Sequence, residues 1–306
     1  MKKKWKQIIA LLVAGTLTFL STSCNEKTTN SDKIKIAYLP ITHSLAVLET
    51  AEELGENIEL VKYGSWTELM DALNSGRVDG ASVLIELAMK SKEQGIGIKA
   101  VALGHKDGNV IITSNDILSA EELAGKTIAI PHRQSSHNIL LNDALASVGL
   151  TINDVNVTEL APTEMPSALA SGQIDGYCVA EPFGAKAVSL NAGQVLFSSE
   201  ELWEDSLCCG LVLTEDFINN RMEEAKSFLQ SYKQAGKNLT KEKAVETAKK
   251  YLNQDDDVLE LSLQWISYDN LEITEENYNV LAEKVKSYGL SDNPPSYADF
   301  VQNDFN

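Results

Sequence analysis

Residues 68–80 read E-L-M-D-A-L-N-S-G-R-V-D-G, and residues 164–176, 96 positions further on, read E-M-P-S-A-L-A-S-G-Q-I-D-G. In each copy a short amphipathic helix (Leu69, Ala72 and Leu73; Met165, Ala168 and Leu169) runs into a glycine, and an acid-glycine pair then opens an apolar strand. Gly76 and Gly172 suit the left-handed residue that ends a helix, and the strands after them are continuous apolar runs of the kind a buried sheet needs. A helix feeding a buried strand twice, at an interval near the length of a small domain, predicts two similar α/β lobes with a cleft between them.

The first residues bear on where such a protein works. Lys2, Lys3, Lys4 and Lys6 precede an uncharged run over residues 8–20, and Ser21-Thr22-Ser23-Cys24 follows. That is the order of a secretory signal, and the 13-residue apolar run falls short of the ~20 that a spanning helix needs. Small residues directly before a cysteine resemble a bacterial lipobox, although Ser21 stands where leucine is more usual. The resemblance implies cleavage before Cys24, lipidation of its sulfur and a mature protein held on the extracytoplasmic face of the membrane. Residues 1–23 are then the signal peptide and residues 24–32 a polar tether.

Composition narrows the class further. The chain has 26 basic and 44 acidic residues; without the four lysines of the leader, 22 remain against 44, a net charge of −22. Nucleic acid is therefore excluded as a partner, because phosphate neutralisation needs clustered Lys and Arg. About 275 residues after the tether hold ample core without disulfides. Beyond Cys24 there are Cys178, Cys208 and Cys209. With no CxxC and no Cys/His ligand spacing, they read as buried apolar thiols, and neither a metal nor a cofactor is expected.

The rest of the chain alternates. Strands are predicted at 34–39, 58–63, 98–103, 109–113, 127–131 and 155–159, with helices at 44–54, 85–94 and 136–148 between them, which predicts parallel sheets with helices on both faces. From residue 214 the pattern changes to four helices at 215–239, 241–252, 257–265 and 274–288, read as a return to the first lobe.

Several of these segments together resemble a known family. They are the run Gly125-Lys126-Thr127-Ile128-Ala129-Ile130-Pro131, the helix opening Ser135-Ser136-His137-Asn138, the S-G-x-x-D-G repeats, and Tyr177-Cys178-Val179-Ala180-Glu181-Pro182-Phe183. In order and spacing they are similar to substrate-binding proteins of the nitrate/sulfonate/taurine importer group, over residues 33–290. These are type II periplasmic binding proteins, a group that includes carriers of bicarbonate and of the thiamine pyrimidine precursor. The resemblance implies two α/β lobes joined by two crossing strands, a ligand shut between them, and delivery to permease and ATPase subunits on other chains. It divides the chain into lobe 1 at 33–113 and 210–306 and lobe 2 at 114–209, with crossings near Thr113 and at 209–213. A monomeric binding protein is expected.

Ligands of open parallel sheets sit outside the carboxyl ends of the strands, so the loops there supply the site candidates. His43, Trp66 and His105 fall in such loops, as do His132, Arg133, Ser135, Ser136 and His137. The start of the helix at Ser136 is the richest, since its N–H groups and dipole favour an anion and Arg133 offers a fork for a sulfonate, nitrate or carboxylate. The acidic surface repels anions at long range, so recognition would be local; uncharged donors would equally serve a neutral pyrimidine or flavin-like ligand. Trp66 is a candidate to stack on the ligand or to pack beneath the first repeat helix. Glu181 carries over from the family's C-V-x-E-P pattern as an acceptor at the cleft or a hinge-side residue.

Two phosphate-site look-alikes fail. Gly125-Lys126-Thr127 lacks the P-loop glycine five places earlier, where Ala120 stands, and Gly95-Ile96-Gly97 precedes a strand instead of following one. The reading is a non-enzymatic binding lipoprotein of an importer. The rival is an enzyme on the same fold, such as a menaquinone-pathway lyase or a pyrimidine-precursor synthase, and the export signal tells against it.

Overall fold

The computed structural model describes residues 33–305; the leader, Cys24 and the tether lie outside the described residues. In chain order the strands are β1 (Ile34–Tyr38), β2 (Ile58–Lys62), β3 (Gly80–Leu84), β4 (Ile98–Leu103), β5 (Lys106–Asp107), β6 (Asn109–Thr113), β7 (Thr127–Ile130), β8 (Asn156–Glu159), β9 (Gly176–Ala180), β10 (Gln194–Ser198), β11 (Cys209–Thr214) and β12 (Ile266–Ser267). The helices are α1 (Leu45–Leu54), α2 (Trp66–Asn74), α3 (Ile85–Glu93), α4 (Ser136–Ser147), α5 (Met165–Ala170), α6 (Phe183–Ser189), α7 (Ser199–Leu202), α8 (Glu215–Asn220), α9 (Met222–Asn238), α10 (Lys241–Tyr251), α11 (Asp256–Ser262), α12 (Glu275–Ser287) and α13 (Tyr297–Phe300).

Two five-stranded sheets have the same plan. One runs β2-β1-β3-β11-β4 and the other β8-β7-β9-β6-β10. In each, three parallel strands are followed by a fourth, β11 or β6, that runs antiparallel to both its neighbours. The sheets are thus mixed, not purely parallel, because each admits one strand that arrives from the other lobe in the reverse direction. The sequence reading puts residues 109–113 with the first lobe; β6 instead pairs with β9 in the second sheet. The chain therefore crosses at residues 104–108, earlier than Thr113. An all-apolar strand such as β6 carries no mark of the sheet it will enter.

The repeated segment explains why the two sheets match. Gly76 and Gly172 end their helices with φ of 69° and 71°, and the next amides, Arg77 and Gln173, reach back to Ala72 and Ala168 at 3.0 and 2.9 Å, closing a helix end in the manner of a Schellman turn. Asp79 and Asp175 then tie β3 and β9 to their parallel neighbours β1 and β7, accepting from the amides of Lys35 and Thr127 at 2.8 and 2.7 Å. Gly80 and Gly176 follow because a Cβ there would come within 2.7 Å of the crossing strand's carbonyls, Val212 O and Ile112 O.

The late helices do more than return to lobe 1. α9 presents Ala225, Phe228, Leu229, Tyr232 and Ala235, all buried at helical spacing, and packs with α10 on α1. The single helix expected over 215–239 breaks at Arg221, where the backbone leaves the helical region. α11 lies on α6 of the second lobe, and α12 reaches α4 through Lys284, whose ammonium is 2.8 Å from Asp143. Among the described residues no helix is long and apolar enough to cross a membrane.

Candidate functional site

Four buried side chains meet where the chain passes between the lobes. His43 stands in the turn after β1, His105 in the crossing after β4, and Cys208 and Cys209 at the start of the return strand β11; each is at most 1% exposed. The imidazole rings of His43 and His105 stack with centroids 3.5 Å apart. Cys208 Sγ lies 3.6 Å from His43 Nδ1 and 3.8 Å from Cys209 Sγ, and one donor atom from each of the four residues falls within 4.8 Å of the others. His43 Nε2 faces the carbonyl of Gly108 at 3.0 Å, which fixes the proton on that nitrogen and turns Nδ1 toward the thiols.

Around this group the polar atoms are unusually short of partners. His105 Nδ1, Asn109 Nδ2, Ser136 Oγ, both ring nitrogens of His137 and both carboxyl oxygens of Glu86 are buried with no hydrogen-bond partner among the described residues. Native interiors leave few such groups, because each costs the full desolvation of a donor or acceptor, so their concentration marks a place built to receive something polar. Burial, with His43 adding to it, pushes His105 down to about 4; burial likewise takes His137 to about 4, so both imidazoles are neutral at pH 7. Burial also pushes the Glu86 carboxyl well up. For Cys208 burial opposes ionisation, but the hydrogen bond with the Cys209 thiol, the neighbouring His43 and the hydrogen bond with His105 outweigh it and hold Cys208 well below the usual thiol range.

The other candidates are placed differently. Arg133 is exposed, and its guanidinium donates to Val157 O at 3.0 Å on the neighbouring strand. Ser135 caps α4, accepting from Asn138 N at 3.3 Å, while Ser136 and His137 turn inward. Trp66 is buried at the start of α2 with its indole N–H unpartnered. Glu181 is buried, takes the Ala185 amide at 3.0 Å on Oε2, and is pushed up by burial to about 8. A separate cavity of about 430 Å³ opens at the cleft mouth between Ile41, Lys62 and Tyr63 of one lobe and Pro162, Thr163 and Phe183 of the other.

The sequence reading takes Cys208 and Cys209 for buried apolar thiols and passes over Glu86. It expects no metal because no two ligands stand at a recognised spacing; the fold instead gathers the set from three distant segments, where local spacing says nothing. The usable signal was positional: a cysteine pair at the predicted return crossing, opposite two histidines in cleft-side loops. Gly104 belongs to the same junction. A Cβ on it would lie 2.8 Å from His43 O and 3.2 Å from Cys209 O.

The sequence matches the model of the NMT1-like family over residues 27–253. The chain belongs to that family. A solved ligand-binding component of an ABC-type import system from Staphylococcus aureus, determined with zinc bound, is 41% identical, with a TM-score of 0.84 over 88% of this chain and 96% of that one. The taurine-binding periplasmic protein of Escherichia coli is 29% identical over 59% of this chain and 57% of its own length. A nitrate import ATP-binding protein of Synechocystis sp. is 29% identical over 61% of this chain, which spans 32% of that longer relative. Solved proteins at 14 to 19% identity, with TM-scores of 0.70 to 0.77, share the fold alone, that of the periplasmic binding proteins.

Proposed function

We propose that this chain is the extracytoplasmic ligand-capturing component of an ABC importer, a binding protein and not an enzyme, held to the membrane through lipidated Cys24 and working as a monomer with permease and ATPase subunits on other chains. The observation that carries the reading is the buried set of unpartnered polar groups between two lobes of periplasmic binding-protein fold. Relatives named for taurine and nitrate make a small oxyanion of the nitrate, sulfonate or bicarbonate kind the first ligand class to test. In this chain neutral donors would hold it, Ser136 and Asn109 with the His137 ring, since Arg133 is turned to Val157. A neutral thiamine-pyrimidine or flavin-like precursor is the alternative, and it would use the same donors.

Calorimetry against these compounds tests the ligand. Ser136→Ala is expected to weaken the cognate ligand about tenfold, the effect of one buried hydrogen bond, whereas Arg133→Ala leaves affinity within about threefold. The reverse order would restore the arginine seat and remove this one. For the anchor, Cys24→Ser should abolish fatty-acid labelling; labelling that persists in the serine variant removes the lipoprotein.

A further inference from the structure

We propose that His43, His105, Cys208 and Cys209 form a tetrahedral thiolate-imidazole site for a zinc-class metal ion at the junction of the two lobes. Geometry is the first support. A four-coordinate zinc with Zn–S near 2.3 Å and Zn–N near 2.05 Å sets its sulfurs about 3.8 Å apart and each sulfur about 3.6 Å from a nitrogen. The two thiols here are 3.8 Å apart and Cys208 Sγ is 3.6 Å from His43 Nδ1. Successive residues of an extended strand send their side chains to opposite faces, so two adjacent cysteines rarely aim at one point. Cys208 lies just ahead of β11, outside the regular strand, and a donor atom of each cysteine falls within 4.8 Å of one on each of the two rings.

Chemistry and surroundings agree. Two thiolates and two neutral imidazoles around a divalent ion have no net charge, which suits a centre at most 1% exposed. Soft sulfur with imidazole selects zinc or a comparable soft ion over magnesium or calcium. The Gly108 carbonyl at 3.0 Å supplies the outer contact that fixes a metal-binding histidine's tautomer. On binding, each thiol loses its proton to solvent and gives a lone pair to the metal; no oxidant or reductant takes part. The centre stands on its donors alone and does not rest on the importer reading.

The full-length protein, solubilised and kept reduced, tests the site with zinc chloride and with cobalt(II) as probes. One zinc per chain is expected to survive gel filtration by elemental analysis. Cobalt should give the thiolate charge-transfer bands of the near ultraviolet and the intense visible bands of tetrahedral coordination. Zinc should protect two of the buried thiols from a disulfide reagent until a chelator is added. Cys208→Ser, Cys209→Ser and His43→Ala should each weaken zinc at least about a hundredfold. Cys178→Ser, in β9 and outside the four-residue donor group, keeps the signal and controls for folding, as does far-ultraviolet circular dichroism. Substoichiometric zinc, octahedral cobalt spectra, affinity unchanged in the cysteine variants, or an intact mass two daltons low from a Cys208–Cys209 disulfide would each overturn the site. None of these results bears on import, which the compound screen and the anchor test decide separately.

Discussion

Thr42 and Glu181 join the two lobes through one oxygen: the amide and the hydroxyl of Thr42 both donate to the carbonyl of Glu181, at 3.0 and 2.9 Å. Thr42 precedes the His43 ligand and Glu181 follows β9, so the contact sets the distance between a lobe 1 loop and the second sheet. Thr42→Val keeps the shape and the amide bond but leaves the carbonyl with one donor. It is expected to cost about 1 kcal/mol, read as a lower denaturant midpoint with unchanged slope. A loss above about 3 kcal/mol would mean that the lobes had separated.

Glu181 gives a pH signature. Its carboxyl is held by burial near 8 in the fold and titrates near 4.3 in an unfolded chain, so the native state binds the extra proton between those values. Stability from this group is complete below about pH 4, falls as pH rises, and is gone above about pH 8, a span of several kcal/mol at most. Glu181→Gln cannot titrate. The melting temperature of the natural protein should drop more between pH 5 and 8.5 than that of the glutamine variant; parallel curves would show the carboxyl to be ionised in the fold.

Asp143 latches the C-terminal helices to the second lobe. It accepts Lys284 through both oxygens, at 3.0 and 2.8 Å, and the Tyr288 hydroxyl at 2.5 Å, with its side chain 11% exposed. Asp143→Ala leaves Lys284 against the Trp203 ring and should cost about 1–3 kcal/mol. Solution scattering should show a larger radius of gyration, only weakly restored by salt. An unchanged radius would confine the pair to local stability.

The duplicated helix ends make a paired test. Gly76 and Gly172 have positive φ and nothing within 4 Å of a Cβ position, so alanine meets backbone strain and no clash. Each substitution should cost about 1 kcal/mol, alike in the two lobes. Unequal losses in chemical denaturation would show that the lobes do not share this device energetically.

What the sequence told and withheld follows from distance along the chain. The helix ends at Gly76 and Gly172 and the strands at residues 80–84 and 176–180 were legible because each depends on residues within one or two turns. The sheet assignment of residues 109–113 was not, since β6 is equally apolar in either lobe. The anion seat drawn around Arg133 assumed that neighbours in sequence point the same way; at the start of α4, Ser136 and His137 face the interior while Arg133 faces Val157 and solvent. Cys208 and Cys209 acquire a role only once residues 43, 105 and 208 are in one place.

Gly104 allows that place to be adjusted without altering any side chain in it. The glycine is in contact with the backbones of His43 and Cys209, one from each of two segments whose separation sets the bite of the donor set. A single methyl group at residue 104 is a spacer inserted at the pivot: the chemistry of every donor stays the same while the spacing between them changes. Graded substitution there offers a way to tune how tightly the junction grips, with the cleft mouth at Lys62 and Phe183 left as it is.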